Sequence, residues 1–342
     1  MTDSDVVVTL YAKTDLGRTR EHNEDAFLVA DLTTGKSSLH SLVSTRSIGP
    51  KGELLLVADG MGGAAAGELA SAMAADLIFG HLAGTWTKEE DASPERFTLR
   101  LREAVNLANL QIHSYAREHP EVRGMGTTAT VAGVLGSSLY LAQVGDSRGY
   151  IVRGGTATQI TKDQSLTQRL VDAGELTEEE AAASSRRNII LQALGPDPKI
   201  RVELTFQSLS GGDVLVLCSD GLSSQVKREE IAELVSRQPD LEAVGNELVA
   251  LANGRGGPDN ITVVLARFEG AGLPAPEQEE EPGYLVYHSG DTSGEVPTVT
   301  PPAPPATPTE ESPPVRTGSP AGMALLVFGA LIVLLAIFLA LG

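Results

Sequence analysis

Acidic residues end apolar, strand-like runs at three distant places in the sequence. In each case the acid follows the run directly or after one residue, and it lies next to a glycine. The three acids are Asp59 in LLLVADGMGG, Asp146 in YLAQVGDSRG and Asp220 in VLVLCSDGL. One Asp beside a Gly is typical of a tight turn, because both residue types favour turns for local reasons. Three such acids at strand exits also fit a site that gathers carboxylates.

Two further acidic places lie beside turn signals: Glu24 and Asp25 in REHNEDAF, and Asp259 in GGPDNIT. Carboxylates that converge repel one another and raise each other's pKa. The five places therefore either stay apart, or cations hold them together. Oxygen ligands without His or Cys suit Mg²⁺ or Mn²⁺ rather than Zn²⁺, and the six histidines show no metal-ligand spacing.

A pair of cations among these acids would equip the chain to hydrolyse a phosphate ester. Two metal ions about 3.5–4 Å apart bind a bridging water and lower its pKa toward neutrality. The glycines of DGMGG would let the backbone approach such ions closely. Arg20, five residues before Asp25, is the candidate for binding phosphate oxygens through its guanidinium fork. The alternative for Arg20 is an ordinary surface arginine.

Apolar and alternating runs predict the strands that would position these acids. The predicted strands are 6–12, 54–58, 127–134, 139–144, 149–152, 214–218 and 261–268. Helical periodicity predicts helices over 65–79, 97–117, 228–235 and 241–252, and TEEEAAA at 177–183 opens with a capping box. The strands come in hairpin-like clusters that two long helices interrupt. This order predicts an α+β fold with helices packed on sheet faces, rather than a parallel βαβ repeat.

Composition excludes some classes of function. The 342 residues carry a net charge of −19, which argues against a nucleic-acid-binding protein because such a protein needs a basic face. Cys218 is the single cysteine, so an internal disulfide is excluded, and its apolar surroundings predict a small core residue. The acidic N-terminus lacks the basic and apolar regions of a signal peptide.

The composition predicts three parts of the chain. Residues 1–270 are expected to form the globular domain. Residues 271–320 hold twelve of the nineteen prolines and predict a disordered, acidic linker. Residues 321–342 include twenty uncharged residues, GMALLVFGALIVLLAIFLAL, which predict a membrane-spanning helix. We therefore expect a single-pass, tail-anchored protein of the inner membrane, with its globular domain in the cytoplasm. A buried core helix and a cleaved tail are the alternatives.

Seven ordered segments resemble the metal-dependent Ser/Thr protein phosphatases of type 2C, in their bacterial branch. The segments are TDLGRTREHNEDAF, LLLVADGMGGAAAGELAS, GMGTTATV, LAQVGDSRGYIVRGG, TQITKDQSL, VLVLCSDGLS and GGPDNITVV. The resemblance covers residues 5–268. It implies the family's fold, an α-β-β-α sandwich of two antiparallel sheets flanked by helices, with a dimetal site at one edge.

The resemblance implies two Mn²⁺ or Mg²⁺ ions as cofactors and assigns their ligands. Asp59 would bridge the two ions, and the backbone carbonyl of Gly60 would ligate one of them. Asp220 and Asp259 would complete the second metal site.

The remaining acids and the arginine also have counterparts in the family. Glu24 and Asp25 correspond to the acidic pair that binds metal directly or through water. Asp146, together with Asp220, would form a third, weaker metal site. Arg20 matches the arginine that binds the substrate phosphate.

The sequence departs from the family pattern in the region that faces substrate. Met61 replaces a His of eukaryotic relatives, so the leaving alkoxide cannot be protonated from that position. Gln164 and the serines at 184–185 replace residues that are often His in bacterial relatives. These two places lie within 161–195, the flap that the family uses near its substrate. Residues 31–52 form a longer first connection than usual, without an assigned role.

The resemblance implies an active phosphatase for phosphoserine and phosphothreonine in proteins, monomeric and opposing a cognate Ser/Thr kinase at the membrane. A second hypothesis is a pseudo-enzyme that binds phosphoproteins without turnover, whose usual mark is a missing metal ligand. A third is a phosphatase for small phosphate esters. None of the metal-binding acids is missing from the sequence, which favours the first hypothesis over the second.

Overall fold

The structure, a computed structural model, describes residues 6–276 and 281–287 of the chain. Two antiparallel β-sheets pack face to face, and a layer of helices covers the outer face of each sheet. The predicted fold class, an α+β sandwich with the layer order α-β-β-α, is therefore confirmed.

The bounds of the elements follow in chain order. The strands within the described residues are β1 (Val7–Asp15), β2 (Asp25–Asp31), β3 (Lys36–Ser38), β4 (Leu42–Ser47), β5 (Glu53–Met61), β6 (Gly126–Thr127), β7 (Ala129–Leu135), β8 (Ser138–Val144), β9 (Arg148–Arg153), β10 (Thr156–Gln159), β11 (Glu203–Ser208), β12 (Val214–Cys218) and β13 (Ile261–Glu269). The α-helices in the same part of the chain are α1 (Ala64–Gly84), α2 (Pro94–Glu118), α3 (Leu166–Asp172), α4 (Glu178–Ala183), α5 (Asp220–Ser223), α6 (Arg228–Arg237) and α7 (Leu241–Gly254).

The strand order brings distant parts of the chain side by side. The first sheet has the order β10-β9-β12-β13-β1-β4 and the second has the order β11-β8-β7-β5-β2-β3, while β6 pairs with the end of β5. Apolar side chains from both inner faces, such as Phe27 and Phe268, form the core between the sheets. Helices α1 and α2 cover the second sheet, and α6 and α7 cover the first. Because both of their faces are covered, β5 and β12 have continuous apolar runs instead of alternating patterns.

The structure confirms the predicted strands and helices, most of them with shifted ends, and it adds strands that the sequence patterns did not predict. The capping box at Thr177 is confirmed at the start of α4. Strands β2, β3, β4 and β11 were not predicted. Strand β4 contains LVSTRS, whose residues alternate between half-buried and exposed because it is the edge strand beside β1. The long first connection, 31–52, therefore contributes two edge strands to the sandwich.

Residues 281–287 lie in the predicted linker, but they pack against the second sheet. Backbone hydrogen bonds join this segment to β11, and the Tyr287 ring lies edge-on to Tyr140, with ring centroids 5.5 Å apart. The sheet therefore continues beyond β11 into the tail. The division of the chain into three parts stays a prediction.

The predicted location at the membrane is wrong and needs correction. Among the helices of the described residues, none is both long enough and apolar enough to cross a bilayer. The 21-residue α1, for example, carries Glu68 and Asp76 and lies against the second sheet. The predicted span at 321–342 lies outside the described residues. A tail-anchored protein is therefore not supported.

Candidate metal centre

The acids of β2 and β5 lie at the same end of the second sheet. In the antiparallel register of these strands, Asp25 is directly opposite Asp59. The next residue, Gly60, donates its backbone N–H to the Glu24 carbonyl over 3.1 Å. A one-residue slip would move every side chain to the other face of the sheet, so the buried faces fix this pairing.

The acids of the first sheet reach the same place from the opposite layer. Asp220 begins α5 directly after β12, and Asp259 lies two residues before β13, the neighbour of β12. The carboxyl groups of Asp220 and Asp59 are close enough to share a hydrogen bond when one of them is protonated. The two sheets therefore bring the predicted acids together at one edge of the sandwich, which we call the acidic edge.

The pKa values of these acids show how closely they approach one another. Burial raises the pKa of Asp59 well above its usual value, and the charges of Asp25, Asp220, Asp146 and Asp259 raise it further. Burial, followed by neighbouring acids, raises the pKa of Asp25 to about 7 despite two hydrogen bonds that lower it. Burial and then the Asp220 charge raise the pKa of Asp146 to about 7. Without cations, burial and mutual repulsion therefore disfavour the ionised form of these acids.

Asp146 differs from its neighbours in its burial. Asp146 is buried, with 6% of its surface exposed, whereas Asp25, Asp59 and Asp220 are each partly exposed to solvent. The Asp146 Oδ1 atom is buried and has no hydrogen-bond partner within the described residues. Buried carboxylate oxygens normally have a partner. Asp146 therefore has an acceptor that is free to ligate a cation.

Small polar residues orient the acids, and the sequence patterns did not reveal them. Ser219 and Thr262 each donate a hydroxyl hydrogen bond of 2.7 Å to Oδ2 of Asp25. Asn260 Oδ1 accepts the backbone N–H of Glu24 over 2.8 Å. Ser219 precedes Asp220 in CSDGL, and Asn260 and Thr262 follow Asp259 in PDNIT. This closeness in sequence to a predicted acid was the only sign of their role.

The turn after β5 requires glycine because of close backbone contacts. A Cβ atom on Gly60 would lie 2.2 Å from the Gly67 carbonyl oxygen and 2.5 Å from that of Glu24. Gly62 and Gly63 have φ values of 113° and 93°, which non-glycine residues rarely adopt. The DGMGG turn therefore lets the first turn of α1 approach the backbone beside Asp59.

Arg20 lies at the rim of the acidic edge. Its Nη2 atom donates to Asp259 Oδ2 over 2.8 Å, and its side chain is 48% exposed. The hydrogen bond that Arg20 donates to Asp259 is the main cause that raises the pKa of Arg20, and the charges of Asp259, Glu24 and Asp59 add to it. Arg20 is therefore a cation next to the acids that can turn toward an arriving anion.

A polar network stabilises the GDSR turn, residues 145–148. Ser147 Oγ and Thr128 Oγ1 are 2.8 Å apart, and Thr128 Oγ1 also accepts the backbone N–H of Asp59 over 2.9 Å. Arg148 donates to both carboxylate oxygens of Asp163, with the shortest distance 2.7 Å. These contacts connect the Asp146 turn to the Asp59 strand end.

The donor set fits hard divalent cations. The side-chain groups at the acidic edge are carboxylates, and they lie with the Gly60 backbone where the family resemblance expects ligands. Within the described residues, no three acidic, histidine or cysteine side chains form a ready cluster around one ion. The fit to hard divalent cations therefore rests on the chemistry of the oxygen donors alone.

Comparison with known proteins identifies relatives for most of the described chain. Residues 44–262 match the family described as protein phosphatase 2C. The serine/threonine phosphatase Stp of Listeria welshimeri is 36% identical over 255 residues, which cover 74% of this chain and 93% of that protein.

Solved structures agree with the sequence relatives. The serine/threonine phosphatase of S. agalactiae has a TM-score of 0.66 and 33% identity, covering 76% of this chain and 99% of that one. The catalytic domain of the phosphatase PstP, solved in complex with two manganese ions, has a TM-score of 0.62 and 36% identity, covering 77% of this chain and 99% of that one.

Proposed function

This chain belongs to the protein phosphatase 2C family as a bacterial serine/threonine phosphatase, and we propose that the acidic edge carries its activity. In this proposal the chain binds two divalent cations there and hydrolyses phosphoserine and phosphothreonine in proteins. The observation that supports it best is the convergence of acids from both sheets beside an exposed arginine, with few cationic side chains to neutralise them. Structural ion pairs would instead join each buried acid to a basic partner.

Manganese is the cation that the comparisons favour. The PstP catalytic domain was solved with two manganese ions, and the oxygen donors of the acidic edge suit Mn²⁺ and Mg²⁺ alike. We assign Asp59 to both cations, the Gly60 carbonyl to one of them, and Asp220 and Asp259 to the second.

The remaining acids complete the site. Glu24 and Asp25 would contact the cations directly or through water, and the hydroxyls of Ser219 and Thr262 fix the orientation of Asp25. Asp146 would form a third, weaker site with Asp220, which would give a partner to its unsatisfied Oδ1 atom.

The chemistry that bound cations supply in such a site is activation of water for attack on phosphorus and neutralisation of phosphate charge. Arg20 would bind the phosphate oxygens with its guanidinium group, exchanging its bond to Asp259 for the substrate. Met61, which follows Gly60 at the end of β5, carries no proton that could be given to the leaving serine or threonine oxygen. A water molecule held at the acidic edge would supply this proton instead.

The substrates would be phosphorylated proteins rather than small esters, and the chain would act as a monomer that reverses a serine/threonine kinase. The names of the relatives support a protein substrate, since Stp and PstP are both named as serine/threonine phosphatases. Asp59 and Asp220 are partly exposed and Arg20 is half-exposed, so a phosphate carried on a protein could reach them.

Hydrolysis of a phosphothreonine peptide by the full chain tests the proposal. We expect turnover with Mn²⁺ that a chelator abolishes, and that Asp59→Asn reduces by a factor of about 10² or more, the scale of a key electrostatic group. The matched control is Asp76→Asn, an exposed acid on α1, which should retain activity. A folded, Mn²⁺-loaded protein without turnover would favour a phosphoprotein-binding function. Turnover confined to p-nitrophenyl phosphate would favour a small ester as the substrate.

A further inference from the structure

The tail contributes a strand-like segment to the catalytic unit, beyond the region that resembles the family. In residues 281–287, the Leu285 carbonyl accepts the backbone N–H of Phe206 over 2.9 Å, and the Tyr287 N–H donates to the Leu204 carbonyl over 2.8 Å. These bonds continue the second sheet past β11. Such edge pairing holds the segment at a fixed position, because backbone bonds on both sides of Val286 set its register.

Tyr284 of this segment closes a cavity of about 480 Å³ next to the flap. The Nζ atom of Lys162 lies 5.7 Å from the centre of the Tyr284 ring, and the Tyr284 hydroxyl lies beside the Glu203 carboxylate. The other walls come from 162–172, from 191–192 and from β11. The tail thus provides one wall of a cavity that the flap region and the second sheet leave open.

The charges around this cavity leave two guanidinium groups available. Lys162 is paired with Asp172 over 2.9 Å. Arg169 is exposed and forms no ion pair with any residue that the structure describes. Arg201 is 82% exposed, and its contact with Glu203 is long, at 3.9 Å. An anion entering the cavity would meet two arginines that can bind it without abandoning a buried partner.

The cavity adjoins the acidic edge. Its wall residue Gln164 accepts the backbone N–H of Gly145 over 3.0 Å, and Gly145 directly precedes Asp146. A second wall residue, Asp163, binds Arg148 of the same turn. A peptide advances by about 3.5 Å per residue. A peptide with its phosphorylated residue at the acidic edge therefore brings a neighbouring side chain to the cavity within a few residues.

We propose that this cavity is a specificity subsite for an acidic side chain that flanks the phosphorylated residue, with Arg169 and Arg201 as its cations and Tyr284 as its wall. The proposal rests on the proposed phosphatase function and adds a substrate preference to it. Charge complementarity favours this occupant, because a glutamate or aspartate carboxylate matches the guanidinium fork. The cavity also has acids in its lining, but Asp163 and Asp172 are already paired with Arg148 and Lys162. A basic flank would therefore gain less there than an acidic flank would gain from the two arginines.

The test uses the full chain with Mn²⁺ and phosphothreonine peptides that differ only in their flanks. One set carries glutamates within three residues on one side of the phosphothreonine, a second set carries them on the other side, and matched sets carry glutamines. We expect kcat/KM to be about 5-fold higher with glutamates on one of the two sides, as two partly exposed ion pairs would give. Hydrolysis of p-nitrophenyl phosphate provides the reference for chemistry alone.

Variants then assign the preference to the cavity. Arg169→Ala combined with Arg201→Ala should reduce the preference to less than about 2-fold, and the effect should appear in KM rather than kcat. Arg117→Ala, an exposed arginine in the last turn of α2, is the matched control and should leave the preference unchanged. Tyr284→Ala should weaken the preference, whereas Tyr284→Phe keeps the ring under Lys162 and should retain it.

Two results would overturn the subsite while leaving the phosphatase intact. The first is equal kcat/KM for glutamate and glutamine flanks in the parent chain. The second is an equal loss of p-nitrophenyl phosphate and peptide hydrolysis in the double arginine variant, which would mean that the arginines bind phosphate itself. A parent chain that hydrolyses neither substrate would instead contradict the proposed function. Thermal melting of each variant separates these outcomes from unfolding.

Discussion

Strand β5 carries an acid with a raised pKa at each end, but the surroundings of the two acids have opposite charge. At its start, Glu53 is fully buried and accepts hydrogen bonds from Arg46 Nε and Nη2 over 2.9 and 2.6 Å. At its end, Asp59 lies among other acids. Burial raises the pKa of both residues, but the arginine lowers that of Glu53, while the neighbours of Asp59 raise it further.

The difference between these ends separates an acid that the fold pairs with its own cation from an acid that the fold places among other acids. The fold can supply its own buried cation, as it does again where Arg153 pairs with Asp213 over 2.7 Å. At the acidic edge Arg20 is half-exposed and pairs with Asp259, while Arg148 is bound to Asp163. We propose that divalent cations supply the positive charge that the acidic edge lacks.

The largest expected effect on folding comes from removing the internal cation at the start of β5. Arg46→Ala would leave Glu53 buried and unpaired, and we expect it to lower the free energy of unfolding by about 3 kcal/mol. The specific activity of the folded fraction should stay the same, because this pair is distant from the acidic edge along β5. Urea denaturation combined with activity per folded molecule measures both quantities.

The matched control for that change is Arg237→Ala, which breaks a pair with Glu247 in which both side chains are at least half exposed. It should cost less than about 0.5 kcal/mol. An Arg46→Ala protein with unchanged stability would show that Glu53 does not depend on an internal cation, and the comparison would fail.

At the other end of β5, the hydroxyls that orient Asp25 should affect cation affinity. Ser219→Ala and Thr262→Val each remove one 2.7 Å hydrogen bond to Asp25. We expect each to weaken Mn²⁺ binding by about 10-fold, the usual effect of losing an outer-shell partner. Isothermal titration calorimetry gives the affinity without relying on turnover. Ser71→Ala, a buried serine of α1, is the control, and an equal loss in that variant would assign the effect to general destabilisation.

The smallest expected effect is on the pH dependence of stability without metal. The folded pKa values of Asp25 and Asp146 are about 7 and that of Asp220 is about 6, all above the usual value of 3.8. A raised folded pKa means that the folded state binds more protons than the unfolded state between these values. The stability contributed by these acids is therefore fully present below about pH 4 and is lost as the pH rises through 6 to 7.

We accordingly expect the melting temperature of the metal-free chain to fall by a few degrees, roughly 3–6 °C, between pH 5.5 and 8. Saturating Mn²⁺ should remove this fall, and Asp59→Asn should reduce it by removing one of the repelling charges. A metal-free melting temperature that rises over this range would mean that the acids are already neutralised within the chain.

Much of the fold could be predicted from sequence because its main strands are short apolar runs. Strand β12 has the predicted bounds, Val214–Cys218, since a strand buried on both faces must be apolar throughout. Strand β11, with the sequence ELTFQS, mixes polar and apolar residues because it lies near the edge of its sheet. Local pattern alone could not identify it. The same holds for the strand-like tail segment, which lies among the prolines and acids that predicted a linker.

The acids of the candidate site could be predicted because each has a recognisable local setting, a strand exit or a turn. Local pattern alone could not predict their convergence, since it depends on the pairing of β2 with β5 and of β12 with β13. It was expected only from the family resemblance. The hydroxyls of Ser219 and Thr262 are ordinary small polar residues in sequence. Their role becomes visible only when the two sheets bring them to Asp25.

Calorimetric titration of the metal-free full chain with Mn²⁺ at pH 7.5, beside Asp59→Asn and the Asp76→Asn control, tests the central claim most directly. We predict that the parent chain and the control each bind two Mn²⁺ ions, and that Asp59→Asn loses at least one of them. Equal binding by Asp59→Asn and the parent chain, or the absence of binding to a folded parent chain, would contradict the assignment of the acidic edge as a metal centre.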